Sequence, residues 1–203
     1  MTKVTEINGV NVTGLLEFRG MVMQDSTKAD RNPILIAHWV GGSRSRVEFK
    51  DKVVHIGGDD ELNPMQMFLA SLAACDVDLV AMHASFLGLK IESLSVEATG
   101  HFNVQSYLGL DNAAGSGYDA IAYTVRLSAP GVTPEQIALL LERCERSSPV
   151  GDSLARAIPL KLKFEAKTHS FVRNGRHDCE LPNNSVEPTR LAAQNGHLPC
   201  PSG

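Results

Sequence analysis

The chain has 203 residues, of which 43% are hydrophobic and 21% charged, and its formal net charge is −4. This length predicts one domain with one substantial core, or one domain with an appendage. The acidic balance and an aromatic content of 5% argue against a nucleic-acid-binding protein. Residues 1–10 lack the apolar stretch of a signal peptide, and the most apolar window, residues 65–89, is interrupted by charged and polar side chains. We therefore expect a soluble, cytoplasmic protein that spans no membrane.

The cysteines are too few and too widely spaced for a disulfide scaffold. They are Cys75, Cys144, Cys179 and Cys200. No two of them form the C-x-x-C pair of a zinc site or a thioredoxin-like site. We therefore expect free thiols unless a reaction couples them, and we expect no metal and no bound cofactor.

The N-terminal part of the chain is predicted to be β structure. Residues 14–23 alternate partially between apolar and polar side chains, which favours a strand. Residues 34–40 and 43–50 flank Gly41-Gly42, and two glycines that can adopt positive φ predict a hairpin. A short strand over residues 52–56 follows.

The strongest predicted helix begins at Asn63-Pro64. Asn63 is a favourable N-cap, and proline at the first helical position loses only a donor that would have been unpaired. From Met65 to about Leu87 the sequence is apolar on nearly every side, and Gly88 ends the segment. A helix of this kind belongs in the centre of a core.

The second half of the chain predicts two strands, two helices and a closing strand. Residues 90–104 and 120–130 alternate as strands do, and a glycine-rich loop separates them. Thr133-Pro134 begins a helix with a capping-box glutamine three residues after the threonine. Its predicted apolar face consists of Ile137, Leu140, Leu141 and Cys144. A short helix after residues 147–150 and a final strand over residues 158–166 complete the predicted elements.

The composition changes after Ala166. From Thr168 to Gly203 only six residues are Leu, Ile, Val or Phe, and four prolines interrupt the segment. Such a segment cannot bury a core of its own, so we expect a domain over residues 1–167 and a disordered tail over residues 168–203. The tail contains metal-binding residue types, but their spacing matches no zinc module. They are His169, His177, Cys179, His197 and Cys200.

This order of elements, together with three segments, resembles the OsmC/Ohr family of thiol peroxidases over residues 17–166. The segments are NPMQMFLASLAAC, FLGLKIESLSVEATGHF and TPEQIALLLERCERSSPVGDSL. The resemblance implies an α+β OsmC-like fold, in which antiparallel sheets wrap around a buried central helix. It also implies an intertwined homodimer with its active site at the subunit interface.

In that family the helix cysteine is the peroxidatic thiolate, and a second cysteine in a C-P-V motif resolves the sulfenic acid as a disulfide. Cys75 matches the first position. The second position is occupied by Ser148, within Ser148-Pro149-Val150, and a hydroxyl cannot form the disulfide. Cys144 is the nearest alternative resolving residue, and the competing interpretation is that it only packs its helix onto the core.

A cysteine attacks as the thiolate, which a nearby cation must favour. The resemblance implies an arginine from the N-terminal β region, held by a glutamate near the start of the helix. Arg44 and Arg46 match best, Arg19 is a further candidate, and Glu61 is the acid that could replace the missing glutamate.

Three other polar residues lie on the same predicted helix as Cys75. The carboxylates of Asp76 and Asp78 oppose formation of a thiolate unless they are paired, and we expect them to form hydrogen bonds across a dimer interface. His83 lies eight residues after Cys75, about 12 Å along the helix. We therefore expect it to be a hydrogen-bonded core histidine rather than a catalytic partner.

Three functions follow as hypotheses. The first is a peroxiredoxin-like reductase of organic hydroperoxides that acts through Cys75 and is recycled by an external thiol or dithiol. Apolar residues early in the helix favour organic substrates, namely Met65, Met67, Phe68 and Leu72. The alternative is a non-catalytic OsmC-fold protein that binds a small molecule. The third is a different thiol reaction that uses Cys75 alone.

Overall fold

A computed structural model describes residues 5–110 and 115–166 of the chain. Contacts divide the chain into a first unit, Met1–Leu160, and a second that begins at Lys161. The elements in chain order are β1 Glu6–Ile7, β2 Val10–Asn11, α1 Val12–Gln24, β3 Ile36–Gly41, β4 Arg44–Phe49, β5 Lys52–Ile56, α2 Pro64–Phe86, β6 Ser93–Phe102, β7 Tyr118–Ser128, α3 Pro134–Ser147 and α4 Pro149–Ala155. The tail predicted from Thr168, with its histidines and cysteines, lies outside the described residues.

A tight hairpin joins β1 to β2 and anchors the N-terminal segment to the end of α2. Asn8 and Gly9 form its turn with φ values of 55° and 75°, as a two-residue turn of this kind requires. The Asn8 side chain donates to Ser85 Oγ at 3.0 Å and to the carbonyl of Leu89 at 2.9 Å, and it accepts from the Ile91 amide at 2.9 Å. The Asn8 side chain therefore provides hydrogen-bond partners for three polar groups at and just after the end of α2.

The segment predicted as a strand over residues 14–23 is a helix, so that prediction was wrong. The side chain of Asn11 caps α1 by accepting from the Gly14 amide at 2.9 Å. The buried or partly buried large side chains of the helix are Val12, Leu15, Phe18 and Val22. Their spacing of three to four residues is the helical period. The period is not evident in the sequence, because exposed apolar residues lie between these inward positions.

The hairpin predicted around Gly41-Gly42 is confirmed, and β5 extends it into an antiparallel sheet of order β3-β4-β5. Gly41 and Gly42 have φ values of 114° and 56°. Within the described chain this sheet is exposed, most clearly at Trp39, whose exposed fraction is 78%. Its two outer strands leave backbone groups on their free edges.

The long helix is confirmed as α2, including its cap. Asn63 accepts from the Gln66 amide, and the Gln66 side chain accepts from the Asn63 amide, each at 2.9 Å. Gly88 follows the helix with a φ of 72°. The prediction that every face is buried holds only in part, because Phe68 and Phe86 are exposed within the described chain. The buried residues are Leu72, Asp76, Leu79, Val80, Ala84 and Ser85.

By length and composition α2 could cross a membrane, contrary to our expectation for this window. It has 23 residues, and its most apolar stretch has a mean hydropathy of 1.5. The core helix of a soluble protein meets the same two conditions. Here α2 packs against β6 and α3, and it carries the buried Asp76.

The core lies where α2 meets the β6–β7 ladder and α3. Leu79 and Val80 pack with Cys144, and Ala84 packs with Leu89 and Leu140. The predicted strands and the capped helix α3 are confirmed. The predicted apolar face of α3 is only half correct, because Leu140 and Cys144 are buried, while Ile137 and Leu141 are more than half exposed.

The closing strand predicted over residues 158–166 is not formed within the described chain. Its alternating side chains are almost fully exposed, with fractions of 95% at Leu160, 89% at Leu162 and 85% at Phe164. A strand needs backbone partners from a neighbouring strand, and none is provided here. The segment therefore keeps the pattern of a strand without the pairing.

Candidate functional site

The structure brings Cys75 and Ser148 into contact. Cys75 lies about three turns into α2, and Ser148 lies at the junction of α3 and α4. Ser148 Oγ donates a hydrogen bond to Cys75 Sγ, with 3.7 Å between the two atoms. Ser148 is 2% exposed, whereas the cysteine is partly exposed. An O–H donor of this kind stabilises negative charge on the sulfur.

The start of α4 fixes the orientation of the Ser148 side chain. Its oxygen caps the helix by accepting from the Gly151 amide at 3.2 Å, which directs the hydroxyl proton to another partner. A Cβ at position 151 would lie 3.0 Å from Ser148 Oγ. Glycine therefore allows α4 to approach the serine closely.

A cavity of about 520 Å³ lies near this pair, although neither Cys75 nor Ser148 lines it. Two of its lining residues are neighbours of the pair: Leu72 lies one turn before Cys75, and Gly151 lies against Ser148. The other lining residues are Tyr118, Asp119, Ala120, Ile121, Tyr123, Cys144, Glu145, Asp152, Leu154 and Ala155. Its walls are largely apolar, and three carboxylates contribute to the lining.

Tyr118 forms one wall of the cavity and was not predicted as a site residue. Its hydroxyl donates to the Met65 carbonyl at 2.8 Å, and its ring packs edge-on against Phe102. A Cβ at Gly100 would lie 2.6 Å from this ring. A glycine within a strand sequence indicates such a close approach, but the partner across the ladder is visible only in the structure.

Cys144 has the surroundings of a packing residue. It is 6% exposed and contacts Leu79 and Val80. Burial raises the pKa of its thiol to about 11, and the negative charges of Asp76 and Glu145 add to this effect. At neutral pH it therefore remains a thiol, whereas resolution of a sulfenic acid requires a thiolate.

Arg44 and Glu61 form the arginine–glutamate pair that the resemblance implied. Arg44 Nη2 lies 2.7 Å from Glu61 Oε1, and the other carboxylate oxygen accepts from the Gly58 amide at 2.9 Å. This hydrogen-bonded pair lowers the pKa of Glu61 and raises that of Arg44. However, Cys75 comes 11 residues after Pro64, so roughly 17 Å of helical rise separates it from the start of α2. Within the described residues Arg44 hydrogen-bonds Glu61, and no arginine donates a hydrogen bond to Cys75.

The other candidate cations lie elsewhere. Arg46 forms an ion pair with Glu48 on its own strand. Arg19 lies on α1 and lines a separate cavity with His83.

His83 is not the hydrogen-bonded core histidine that we expected. It is partly exposed and packs edge-on against Phe86. Its side chain has no hydrogen bond to the residues that the structure describes. In residues 5–110 and 115–166 no three His, Cys, Asp or Glu side chains come together as a metal site would need.

The two aspartates after Cys75 differ in their environment. Asp78 is exposed, whereas Asp76 has an exposed fraction of 0%. Neither carboxylate oxygen of Asp76 has a hydrogen-bond partner in the described part of the chain. Within the described residues the Asp76 side chain is enclosed, and the expected hydrogen bonds of the two aspartates across a dimer interface stay a prediction.

Comparison with known proteins places this arrangement in a family. A family model described as OsmC-like protein matches residues 57–163, more than half of the chain. No curated protein matches the chain.

Several solved structures are similar. The OsmC like protein from Mycoplasma pneumoniae is 15% identical with a TM-score of 0.54, and the match covers 62% of this chain and 89% of that one. A hypothetical protein from Aquifex aeolicus VF5 is 12% identical with a TM-score of 0.50, covering 62% and 89%. An organic hydroperoxide resistance protein from Elizabethkingia anophelis is 19% identical with a TM-score of 0.43, covering 61% and 88%.

At such identities the likeness to the first two structures establishes the fold alone. The family-model match spans α2, the β6–β7 ladder, α3 and α4, which are the elements that hold Cys75 against Ser148. The chain belongs to the OsmC family, as a mixed α+β member with small antiparallel sheets.

Proposed function

We propose that the protein is a thiol-dependent reductase of organic hydroperoxides that uses Cys75 as its only redox-active cysteine. The observation that carries the proposal is the partly exposed Cys75 on the core helix, with the Ser148 hydroxyl donating to its sulfur at 3.7 Å. A structural cysteine needs no such donor, whereas a nucleophilic thiolate is stabilised by one.

The reaction proceeds in two stages. The Cys75 thiolate attacks the outer oxygen of the hydroperoxide, the O–O bond breaks, and the alkoxide takes a proton to leave as an alcohol. The product on the enzyme is a sulfenic acid. An external thiol then attacks this sulfur, releasing water and forming a mixed disulfide, and a second thiol restores Cys75 while the two reductant molecules leave as a disulfide.

The preference for organic substrates is supported by the cavity of about 520 Å³ beside the pair. Leu72 and Gly151 connect its lining to the surroundings of Ser148. Ile121, Leu154 and Ala155 offer apolar contacts to the organic group of a hydroperoxide, and hydrogen peroxide would gain nothing from them.

The proposal includes a cytoplasmic homodimer. The alternating segment at residues 158–164 has no strand partner in the described chain, and the outer strands β3 and β5 each have a free edge. A segment of one copy can complete the sheet of another through backbone hydrogen bonds, which also covers apolar side chains such as Trp39. A second copy of this chain is therefore the partner that these surfaces fit.

Sedimentation equilibrium tests the dimer. We expect twice the chain mass of 21.9 kDa for the wild type and for Lys163→Asp, because Lys163 lies on the opposite side of the segment from Leu162. Leu162→Asp should sediment as a monomer, since a charge would replace a buried leucine in the interface. A monomeric wild type would exclude the dimer, and a dimeric Leu162→Asp would exclude this segment as its interface.

Intact mass after one equivalent of cumene hydroperoxide tests the chemistry. We expect wild type and Cys144→Ser each to gain one oxygen, trapped at Cys75 by a sulfenic-acid reagent, and Cys75→Ser to remain unchanged. Loss of two hydrogens that disappears in Cys144→Ser would instead make Cys144 the resolving residue. No mass change in the wild type at neutral pH would refute the reductase.

A second candidate is an OsmC-fold protein that binds a small molecule without reacting. One observation favours it: within the described residues Arg44 is paired with Glu61, and no arginine donates a hydrogen bond to Cys75. This candidate predicts an unreactive thiol and a ligand that copurifies in the cavity beside Ser148. Native mass spectrometry of the purified protein distinguishes it from the reductase.

A further inference from the structure

A second cavity, separate from the one beside Ser148, lies between α1, the end of α2 and α3. Its volume is about 450 Å³. Six of its nine lining residues are apolar, namely Val12, Leu16, Phe86, Leu87, Leu139 and Leu140. The remaining three are Arg19, His83 and Arg143. None of these residues takes part in the proposed peroxide reaction.

Two arginine side chains contribute to the lining of this cavity. Arg19 comes from α1 and Arg143 from α3, so two different helices each supply one positively charged residue to a largely apolar lining. Neither arginine forms an ion pair with a carboxylate in the part of the chain that the structure describes. The chain as a whole has a net charge of −4, so this local excess of positive charge is opposite in sign to the whole protein.

His83 adds a neutral polar group to the same cavity. Partial burial lowers the pKa of its imidazole, and the charge of Arg143 lowers it further. At neutral pH the ring is therefore uncharged, and it can donate one hydrogen bond and accept another. The positive charge in the cavity then comes from the arginines alone.

We propose that this cavity binds a small organic carboxylate with an apolar tail. Guanidinium groups form charge-assisted hydrogen bonds with carboxylates, often through both oxygens. Apolar walls with a few convergent polar groups are the usual lining of a small-molecule site, and the volume lies within the range of such sites. The carboxylate contacts Arg19 and Arg143, and the tail packs against Phe86 and Leu140.

Titration calorimetry with octanoate tests the proposal on the full-length protein. Octanoate should bind, while acetate, which lacks the tail, and octan-1-ol, which lacks the charge, should each bind at least about tenfold more weakly. Arg19→Gln and Arg143→Gln should each weaken octanoate binding roughly tenfold. Arg146→Gln is the matched control, because Arg146 lies on the same helix but pairs with Glu142, and it should bind octanoate as the wild type does.

The site should also be independent of the thiol. Cys75→Ser should bind octanoate with wild-type affinity, which separates this cavity from the one beside Ser148. The proposal is overturned if octanoate does not bind, if octan-1-ol binds as tightly, or if the two arginine variants match Arg146→Gln. Circular dichroism of each variant checks that the fold is retained.

Discussion

The substitution Ser148→Cys is expected to give the protein an internal resolving step. After one equivalent of cumene hydroperoxide, this variant should lose two hydrogens instead of gaining an oxygen, because the introduced thiol condenses with the sulfenic acid at Cys75. Turnover with a dithiol reductant should then rise by about tenfold or more, since attack within the chain replaces a bimolecular step. Intact mass and a coupled peroxidase assay measure the two effects.

The geometry supports this expectation. Ser148 Oγ and Cys75 Sγ are already 3.7 Å apart, and a disulfide bond of about 2 Å requires only modest rotation of the two side chains. The substitution has a cost, because Ser148 caps α4 and cysteine caps helices poorly. We expect a loss of about 1 kcal/mol in the free energy of unfolding of the reduced variant.

The neighbouring serine is a matched control for this variant. Ser147 ends α3 with its side chain exposed, so Ser147→Cys adds a thiol at almost the same place in the sequence without directing it at Cys75. We expect that variant to gain one oxygen at Cys75, as the wild type does. If Ser148→Cys also keeps a stable sulfenic acid, then the two positions are not close enough in solution to react.

Local sequence signals predicted those elements that have clear boundaries. The caps at Asn63 and Thr133 and the glycine pair of the hairpin specify backbone conformation within a few residues, and the structure confirms them. The helix α1 was missed because its inward positions, from Val12 to Val22, are mixed with exposed apolar residues such as Leu16 and Met21. The closing strand was predicted from alternation alone, which cannot tell whether a pairing partner exists in the same chain.

The candidate site was predicted less completely than the fold. Cys75 and Ser148 were identified because the motif resemblance pairs their positions, and the structure adds the contact between them. The enclosure of Asp76 was not foreseen, because helical phase gives the direction of a side chain but not the depth of packing above it. The wall formed by Tyr118 depends on a cross-strand contact with Gly100, and such contacts follow from strand register rather than from either residue alone.

Replacement of Asp76 with alanine is expected to stabilise the protein, although most core substitutions do the opposite. Both carboxylate oxygens of Asp76 are buried without a hydrogen-bond partner in the described residues, and an unsatisfied buried polar group costs about 1–3 kcal/mol. We therefore expect the free energy of unfolding of Asp76→Ala to exceed that of the wild type by an amount in this range. Urea denaturation at one fixed protein concentration measures it.

A second measurement links this effect to Asp76 itself rather than to general repacking. Burial and the charge of Asp76 raise the pKa of Tyr123, and burial and the same charge raise the pKa of the Cys144 thiol to about 11. Asp76→Ala should therefore lower both pKa values, while the exposed Asp78→Ala should change neither pKa and should leave stability within about 0.5 kcal/mol of the wild type. A destabilised Asp76→Ala would mean that the carboxylate has a partner supplied from outside the described chain. In that case the acid next to Cys75 would be a structural element of the assembled protein, and the gain in stability predicted here would be wrong.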